Sequence, residues 1–164
     1  MTEQCSGSNS ACRREMAEAS VMTSARIVII EDEAYSVMSL EMVLRMLGYE
    51  VVGTAASGER ALEIIGATRP DLVMVDVRLN GKLTGLETIE RMRAFHDASV
   101  VLMTGYRDPE TLERIRRCEH AACLFKPFMP YDVEAALEQV LGTKFRSQES
   151  GVRSQESGGL ITDD

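Results

Sequence analysis

Five short apolar runs recur along the central part of the chain, and each is followed by a segment with helical spacing of apolar residues. The runs are Arg26–Ile30, Val51–Val52, Leu72–Val75, Val100–Met103 and Ala121–Phe125. Unbroken runs rich in β-branched residues are typical of strands that are covered on both faces. The pattern therefore predicts five buried strands, each leading into an amphipathic helix.

The helical segments carry start and stop signals of their own. The first repeats apolar residues on one face and stops at Gly48, with Val37, Leu40, Val43, Leu44 and Leu47 inward. Ser57 is a predicted N-cap, Pro109 suits a first turn, and the last helix is predicted over 131–141. Strands alternating with helices of this length predict an α/β fold: a parallel sheet between two helical layers, joined by right-handed crossovers.

The two ends of the chain lack this periodicity. Residues 1–24 are rich in Ser, Ala and Glu, and we expect a disordered leader there. After residue 142 the hexapeptide Arg-Ser-Gln-Glu-Ser-Gly occurs twice, at 146–151 and at 153–158. Two polar copies are too short to stack as structural repeats. We expect one folded domain over residues 25–142 and a low-complexity polar tail over 143–164.

Charge and composition exclude several classes of function. The 164 residues carry a net charge of −8, which disfavours nucleic-acid binding and anionic membrane surfaces. No apolar run approaches the roughly 20 residues of a membrane span, and the N-terminus lacks the apolar segment of a secretory signal. The cysteines show no disulfide-framework spacing; they are Cys5, Cys12, Cys118 and Cys123. We therefore expect a cytoplasmic protein.

Polar residues follow four of the strands at what should be one edge of the sheet. Glu31 and Asp32 follow the first strand, Asp76 the third, Thr104 the fourth and Lys126 the fifth. In open parallel sheets the working site lies beyond the carboxyl ends of the strands. A helix cap explains any one of these residues, but it does not explain their convergence. The sequence therefore predicts a site at this edge.

The residue types in this group indicate phosphoryl chemistry. Three carboxylates on neighbouring strand ends, from Glu31, Asp32 and Asp76, repel one another unless a cation joins them. Oxygen ligands of this kind suit Mg²⁺, which commonly bridges to phosphate. Asp76 can act as a nucleophile on phosphorus. Lys126 and Thr104 can then donate to the phosphoryl oxygens.

The motifs that hold these residues resemble the signature of response-regulator receiver domains of two-component signalling. They read IIEDE, LVMVDVRLNG, VLMTGY and FKPF, and the resemblance extends over residues 25–142. It implies a flavodoxin-like sheet of strand order 2-1-3-4-5. It also implies Mg²⁺-dependent phosphoryl transfer to the aspartate, from the phosphohistidine of a sensor histidine kinase or of a histidine phosphotransfer protein. It further implies that the signal passes to a downstream protein target.

The resemblance also assigns roles to individual residues. It implies that Asp76 accepts the phosphoryl group, that Asp32 binds Mg²⁺ directly and that Glu31 does so through water. The backbone carbonyl of Arg78 is implied as a further metal ligand.

On the other side of the site, the resemblance implies that Thr104 and Lys126 contact the phosphoryl group. It further implies a cis peptide bond between Lys126 and Pro127.

Several positions depart from the usual pattern of the family. Glu31 stands where aspartate is common, and the loop VRLNGKLTG lacks the Met-Pro of many members. The side chains of Arg78 and Tyr106 flank the site at positions that tune phosphoryl lifetime in the family. Cys123 stands where many receivers carry an aromatic residue that changes rotamer on phosphorylation.

Other interpretations are weaker. A zinc site at Cys118, His120 and Cys123 is disfavoured because the residues do not converge readily. An aspartyl-phosphate phosphatase would need a second aspartate where Arg78 stands. An interaction module that is not phosphorylated predicts the loss of a motif residue, and none is lost. We therefore expect a stand-alone receiver that binds partners or relays phosphoryl groups, and not an enzyme acting on a separate substrate.

Overall fold

The structure is a computed structural model that describes residues 24–119 and 121–149, with side chains up to residue 142. The predicted leader, apart from residue 24, lies outside the described residues, as do positions 150–164 of the predicted tail. Within the described residues, no helix has both the length and the apolar character that a bilayer crossing requires.

The described residues form one five-stranded parallel sheet. Its strands are β1 (Arg26–Ile30), β2 (Glu50–Ala55), β3 (Leu72–Asp76), β4 (Ser99–Thr104) and β5 (Ala121–Phe125). They lie in the order β2-β1-β3-β4-β5, and each neighbouring pair is parallel. This arrangement confirms the predicted parallel sheet and the strand order that the resemblance implies.

Five helices connect or follow the strands in the described part of the chain. They are α1 (Ala34–Met46), α2 (Gly58–Thr68), α3 (Gly85–Arg93), α4 (Pro109–Arg116) and α5 (Pro130–Glu149). The last helix runs eight residues past its predicted end, into the segment assigned to the tail. Residues 143–149 include Lys, Arg, Gln and Glu, which favour helix, and Gly142 alone costs only about 1 kcal/mol.

The core is divided by the sheet into two apolar layers. Val28 and Ile30 of β1 lie in the layer that includes residues of α2 and α3. Ile27 and Ile29 lie in the opposite layer, which includes residues of α1 and α5. Successive side chains of a strand point to opposite faces, so one apolar run supplies both layers. The predicted three-layer sandwich is therefore present, and the carboxyl ends of the strands open at one edge.

Candidate functional site

The carboxyl edge of the sheet gathers the acidic residues that the sequence singled out. Glu31 and Asp32 follow β1, and Asp76 is the last residue of β3. One potential ligand atom from each lies within 4.8 Å of the other two. Strands β1 and β3 are direct neighbours, so the strand order itself produces this cluster.

Lys126 enters the same cluster directly after β5. Its Nζ donates to Glu31 Oε2 at 2.6 Å and to Asp76 Oδ2 at 2.8 Å. Burial lowers the pKa of Lys126, but the hydrogen bonds to Asp76 and Glu31 outweigh it, so the pKa is raised above its ordinary value. The peptide bond to Pro127 is cis, as predicted. One ammonium group therefore serves two of the three carboxylates.

Glu31 is the most deeply buried member of the group. The residue is 2% exposed, and burial raises the pKa of its carboxyl above the ordinary value, although the hydrogen bond from Lys126 acts against the rise. The negative charge of Asp76 raises the pKa further. The other carboxylate oxygen of Glu31, Oε1, accepts from the backbone N–H of Glu33 at 3.2 Å. Lys126 is consequently the main group that stabilises the ionised form of Glu31.

Asp76 lies on the floor of the site and is held by its own loop. Its Oδ1 accepts from the backbone N–H of Arg78 at 2.9 Å, and its side chain is 13% exposed. A Cβ at Gly85 would lie 2.0 Å from the Asp76 carbonyl oxygen, so only glycine fits there. Gly85 is also the first residue of α3, whose N-cap is Thr84. The start of α3 is thereby fixed against the backbone of Asp76.

Asp32 is bound by different partners. Its Oδ2 accepts from the backbone N–H of Asn80 at 3.4 Å and from the Asn80 side-chain amide. Within the described residues, no lysine or arginine pairs with Asp32. Sequence reasoning missed Asn80, because its role depends on the path of the β3–α3 loop and not on any periodic pattern.

The donor set fits a small hard cation. Three carboxylates with a single lysine among them leave an excess of negative charge, and carboxylate oxygens are ligands that Mg²⁺ and similar ions prefer. Among the described residues, Glu31, Asp32 and Asp76 form the only group of three or more side chains placed for a metal. Cys118 and Cys123 belong to no such group, and the remaining member of the disfavoured zinc motif, at position 120, lies outside the described residues.

Thr104 ends β4, and its hydroxyl contacts the backbone of the loop that follows. It is fully buried, and its Oγ1 accepts from the backbone N–H of Tyr106 at 3.0 Å. The hydroxyl also lies 3.5 Å from the Tyr106 carbonyl oxygen. The structure thus places Thr104 under the β4–α4 loop, with its neighbour Gly105 lining the open side of the site.

A cleft of about 740 Å³ opens from Asp76 between the β3–α3 loop and α4. The β3–α3 and β4–α4 loops are in contact across the cleft, because the guanidinium of Arg78 in the first loop lies 3.6 Å from the centroid of the Tyr106 ring in the second. The same guanidinium is 3.8 Å from Asp108 Oδ2, while Asp108 Oδ1 accepts from the backbone N–H of Thr111. The sequence placed Arg78 and Tyr106 beside the site but gave no sign of Asp108 as a partner of Arg78.

Comparisons with known proteins agree with this geometry. The profile of the response regulator receiver domain family matches residues 27–138. The transcriptional regulatory protein PdtaR of Mycobacterium tuberculosis is 33% identical over 129 residues, which cover 79% of this chain and 62% of that protein. The phyllosphere-induced regulator PhyR of Methylorubrum extorquens is 33% identical over 119 residues, covering 72% and 44%. The chain therefore spans less than two thirds of the length of either relative.

Solved structures show the same relationship. The signal receiver domain of a modulated diguanylate cyclase from Desulfovibrio desulfuricans is 30% identical with a TM-score of 0.70, over 76% of this chain and 98% of that one. The receiver domain of PhyR from Erythrobacter litoralis is 31% identical with a TM-score of 0.66, over 85% and 98%. Together with the strand order, these similarities give the chain the flavodoxin-like fold of receivers. The chain belongs to the response regulator receiver domain family of two-component signalling.

Proposed function

We propose that this chain accepts a phosphoryl group on Asp76 and passes on the signal by binding a protein partner or by phosphorelay. The observation that carries the proposal is the position of Lys126, whose Nζ lies 2.8 Å from Asp76 Oδ2 in a cluster of carboxylates that opens into a cleft. The donor would be the phosphohistidine of a sensor histidine kinase or of a histidine phosphotransfer protein. We propose that the chain meets this donor in the cytoplasm.

In the proposed step, an Asp76 oxygen attacks phosphorus while the phosphorus–nitrogen bond of the phosphohistidine breaks. The leaving imidazole nitrogen keeps the electron pair and takes up a proton. Lys126 moves a hydrogen bond from its carboxylate partners to a phosphoryl oxygen, which carries developing negative charge. Thr104 reaches the same group only by exchanging its hydrogen bonds to Tyr106.

Mg²⁺ fits the same group of residues. We assign Asp32 and Asp76 as direct ligands, Glu31 as a ligand through water and the Arg78 backbone carbonyl as a further ligand. The bound ion would neutralise the carboxylates and the phosphoryl oxygens together. The product is an acyl phosphate on the chain itself, so we expect no turnover of a separate substrate. A phosphatase is disfavoured further because the Arg78 side chain cannot be deprotonated to act as a base.

The regulatory names of PdtaR and PhyR support an output in signalling. Because the chain carries a net charge of −8, we propose that this output is contact with a protein and not with nucleic acid.

Incubation with acetyl phosphate and Mg²⁺ tests the proposal. Intact-mass measurement should show one added phosphoryl group that hydroxylamine removes. Asp76→Asn should take up none, whereas Asp97→Asn, a matched change in the α3–β4 loop, should behave as the parent. Phosphorylation that survives Asp76→Asn, or that proceeds fully in EDTA, contradicts the assignment.

A further inference from the structure

We propose that Asn80 is a positioning residue for the metal ligand Asp32, an inference that rests on the proposed Mg²⁺-dependent function. The Asn80 backbone N–H and the Asn80 side-chain amide both donate to the same oxygen, Asp32 Oδ2. The two residues are 48 positions apart in the chain, one after β1 and the other in the β3–α3 loop. The contact therefore joins a loop to the cluster of carboxylates.

The distribution of cations shows why this contact matters. Lys126 is hydrogen-bonded to Glu31 and to Asp76, and no cationic side chain among residues 24–119 and 121–142 pairs with Asp32. Neutral donors from Asn80 are thus what holds the third carboxylate of the cluster. An arriving cation would find Glu31 and Asp76 already bridged by an ammonium group, so Asp32 is the carboxylate most open to it.

The geometry at Asp32 suits a ligand that binds through one oxygen. Both donors of Asn80 engage Oδ2, and no hydrogen bond to Oδ1 is present within the described part of the chain. Hydrogen bonds to a metal-bound carboxylate fix its orientation, and their loss typically weakens metal binding by about 10- to 100-fold. Asn80 is exposed, so its side chain can be shortened without disturbing the core.

Calorimetric titration with MgCl₂ tests the assignment in the full chain. Asn80→Ala should raise the Mg²⁺ dissociation constant by about tenfold or more. Lys82→Ala is the matched control in the same loop, because it removes a cation and so should not weaken binding. An Asn80→Ala dissociation constant within twofold of the parent value overturns the inference. If the parent itself binds no Mg²⁺, the proposed function fails together with it.

A second measurement separates positioning of Asp32 from a general effect on the loop. In EDTA, Asn80→Ala should lower the melting temperature of the parent, because Asp32 loses a donor. In a protein that already carries Asp32→Ala, adding Asn80→Ala should leave the melting temperature unchanged. Equal lowering in both backgrounds would show that Asn80 stabilises only its own loop, and would refute the role assigned to it.

Discussion

Replacing Lys126 by methionine should cost the metal-free protein about 3 kcal/mol of unfolding free energy at pH 7. Methionine keeps the length of the side chain and removes the charge. The Glu31 side chain is 1% exposed, so water cannot replace the lost ammonium group, and one backbone N–H from Glu33 remains as a donor. The Asp76 side chain is 13% exposed, so water can partly replace the ammonium group there.

An upper limit follows from the titration of Glu31 itself. A carboxyl with an ordinary pKa of 4.5 can be protonated at pH 7 for about 3.4 kcal/mol, since each pH unit corresponds to about 1.36 kcal/mol. The loss through Glu31 cannot exceed this value, because the group can take up a proton instead of remaining ionised. The expected loss of about 3 kcal/mol lies within this limit.

Urea unfolding followed by circular dichroism in EDTA measures the effect, with the m-value expected to stay constant. The double variant Glu31→Gln/Lys126→Met should recover most of the loss, since it leaves no orphan carboxylate at position 31. The deficit of Lys126→Met should also shrink as the pH falls from 7 to 5. Without Lys126, the pKa of Glu31 in the folded variant is raised above its value in the unfolded chain. The folded variant therefore binds more protons than the unfolded chain in this window, so its stability is lost as the pH rises and regained as the pH falls.

Two results would refute this reasoning. One is a loss below about 1 kcal/mol in Lys126→Met, the size expected of an exposed ion pair. The other is a double variant no more stable than Lys126→Met, which would place the loss elsewhere than at Glu31.

Three further outcomes are expected. Mg²⁺ should stabilise the parent by about 2.7 kcal/mol at a hundred times its dissociation constant, and Asp32→Ala should lose most of this shift in thermal melts; a parent that melts at the same temperature with and without Mg²⁺ would contradict the site. Thr84→Ala, which removes an N-cap acceptor, should cost about 1 kcal/mol in urea unfolding. Backbone and side-chain hydrogen bonds with Thr84 lower the pKa of Glu87, so the stability lost in Glu87→Gln at pH 7 should disappear as the pH falls through that lowered pKa. A deficit that persists at acid pH would contradict this.

The architecture could be predicted from the sequence because its signals are periodic. β1 and β5 have the predicted bounds, and Ser57 is the predicted N-cap, with its Oγ accepting from the backbone N–H of Arg60. The residues that form the cluster were predictable too, since each stands at or just after the end of a strand that is fixed by the sheet. The end of α5 was not, because the helix continues through Gly142, the residue that follows its predicted end.

The finer contacts of the site were beyond prediction because they depend on loop geometry. Asn80 reaches Asp32, and Asp108 faces Arg78, through turns whose course the side-chain pattern does not specify. The expected contact of Thr104 with the phosphoryl group stays a prediction; in the structure, Thr104 Oγ1 accepts from the backbone N–H of Tyr106, a contact that the side-chain pattern did not indicate. The sequence names the residue types at the edge of the sheet, but loop conformation decides which pairs meet.

The long sequence separation of the Lys126 contacts has a consequence for the growing chain. Glu31 lies 95 residues before Lys126 and Asp76 lies 50 before it, so β1 and β3 are synthesised well ahead of their cation. Until β5 emerges and joins the sheet, the carboxylates repel one another without relief. When β5 joins the sheet, one ammonium group donates hydrogen bonds to two carboxylates, and this attraction offsets part of the entropy lost in closing the loop. Because Lys126 reaches Asp76 only after β5 has joined the sheet, the site proposed to accept a phosphoryl group is complete only in the finished sheet.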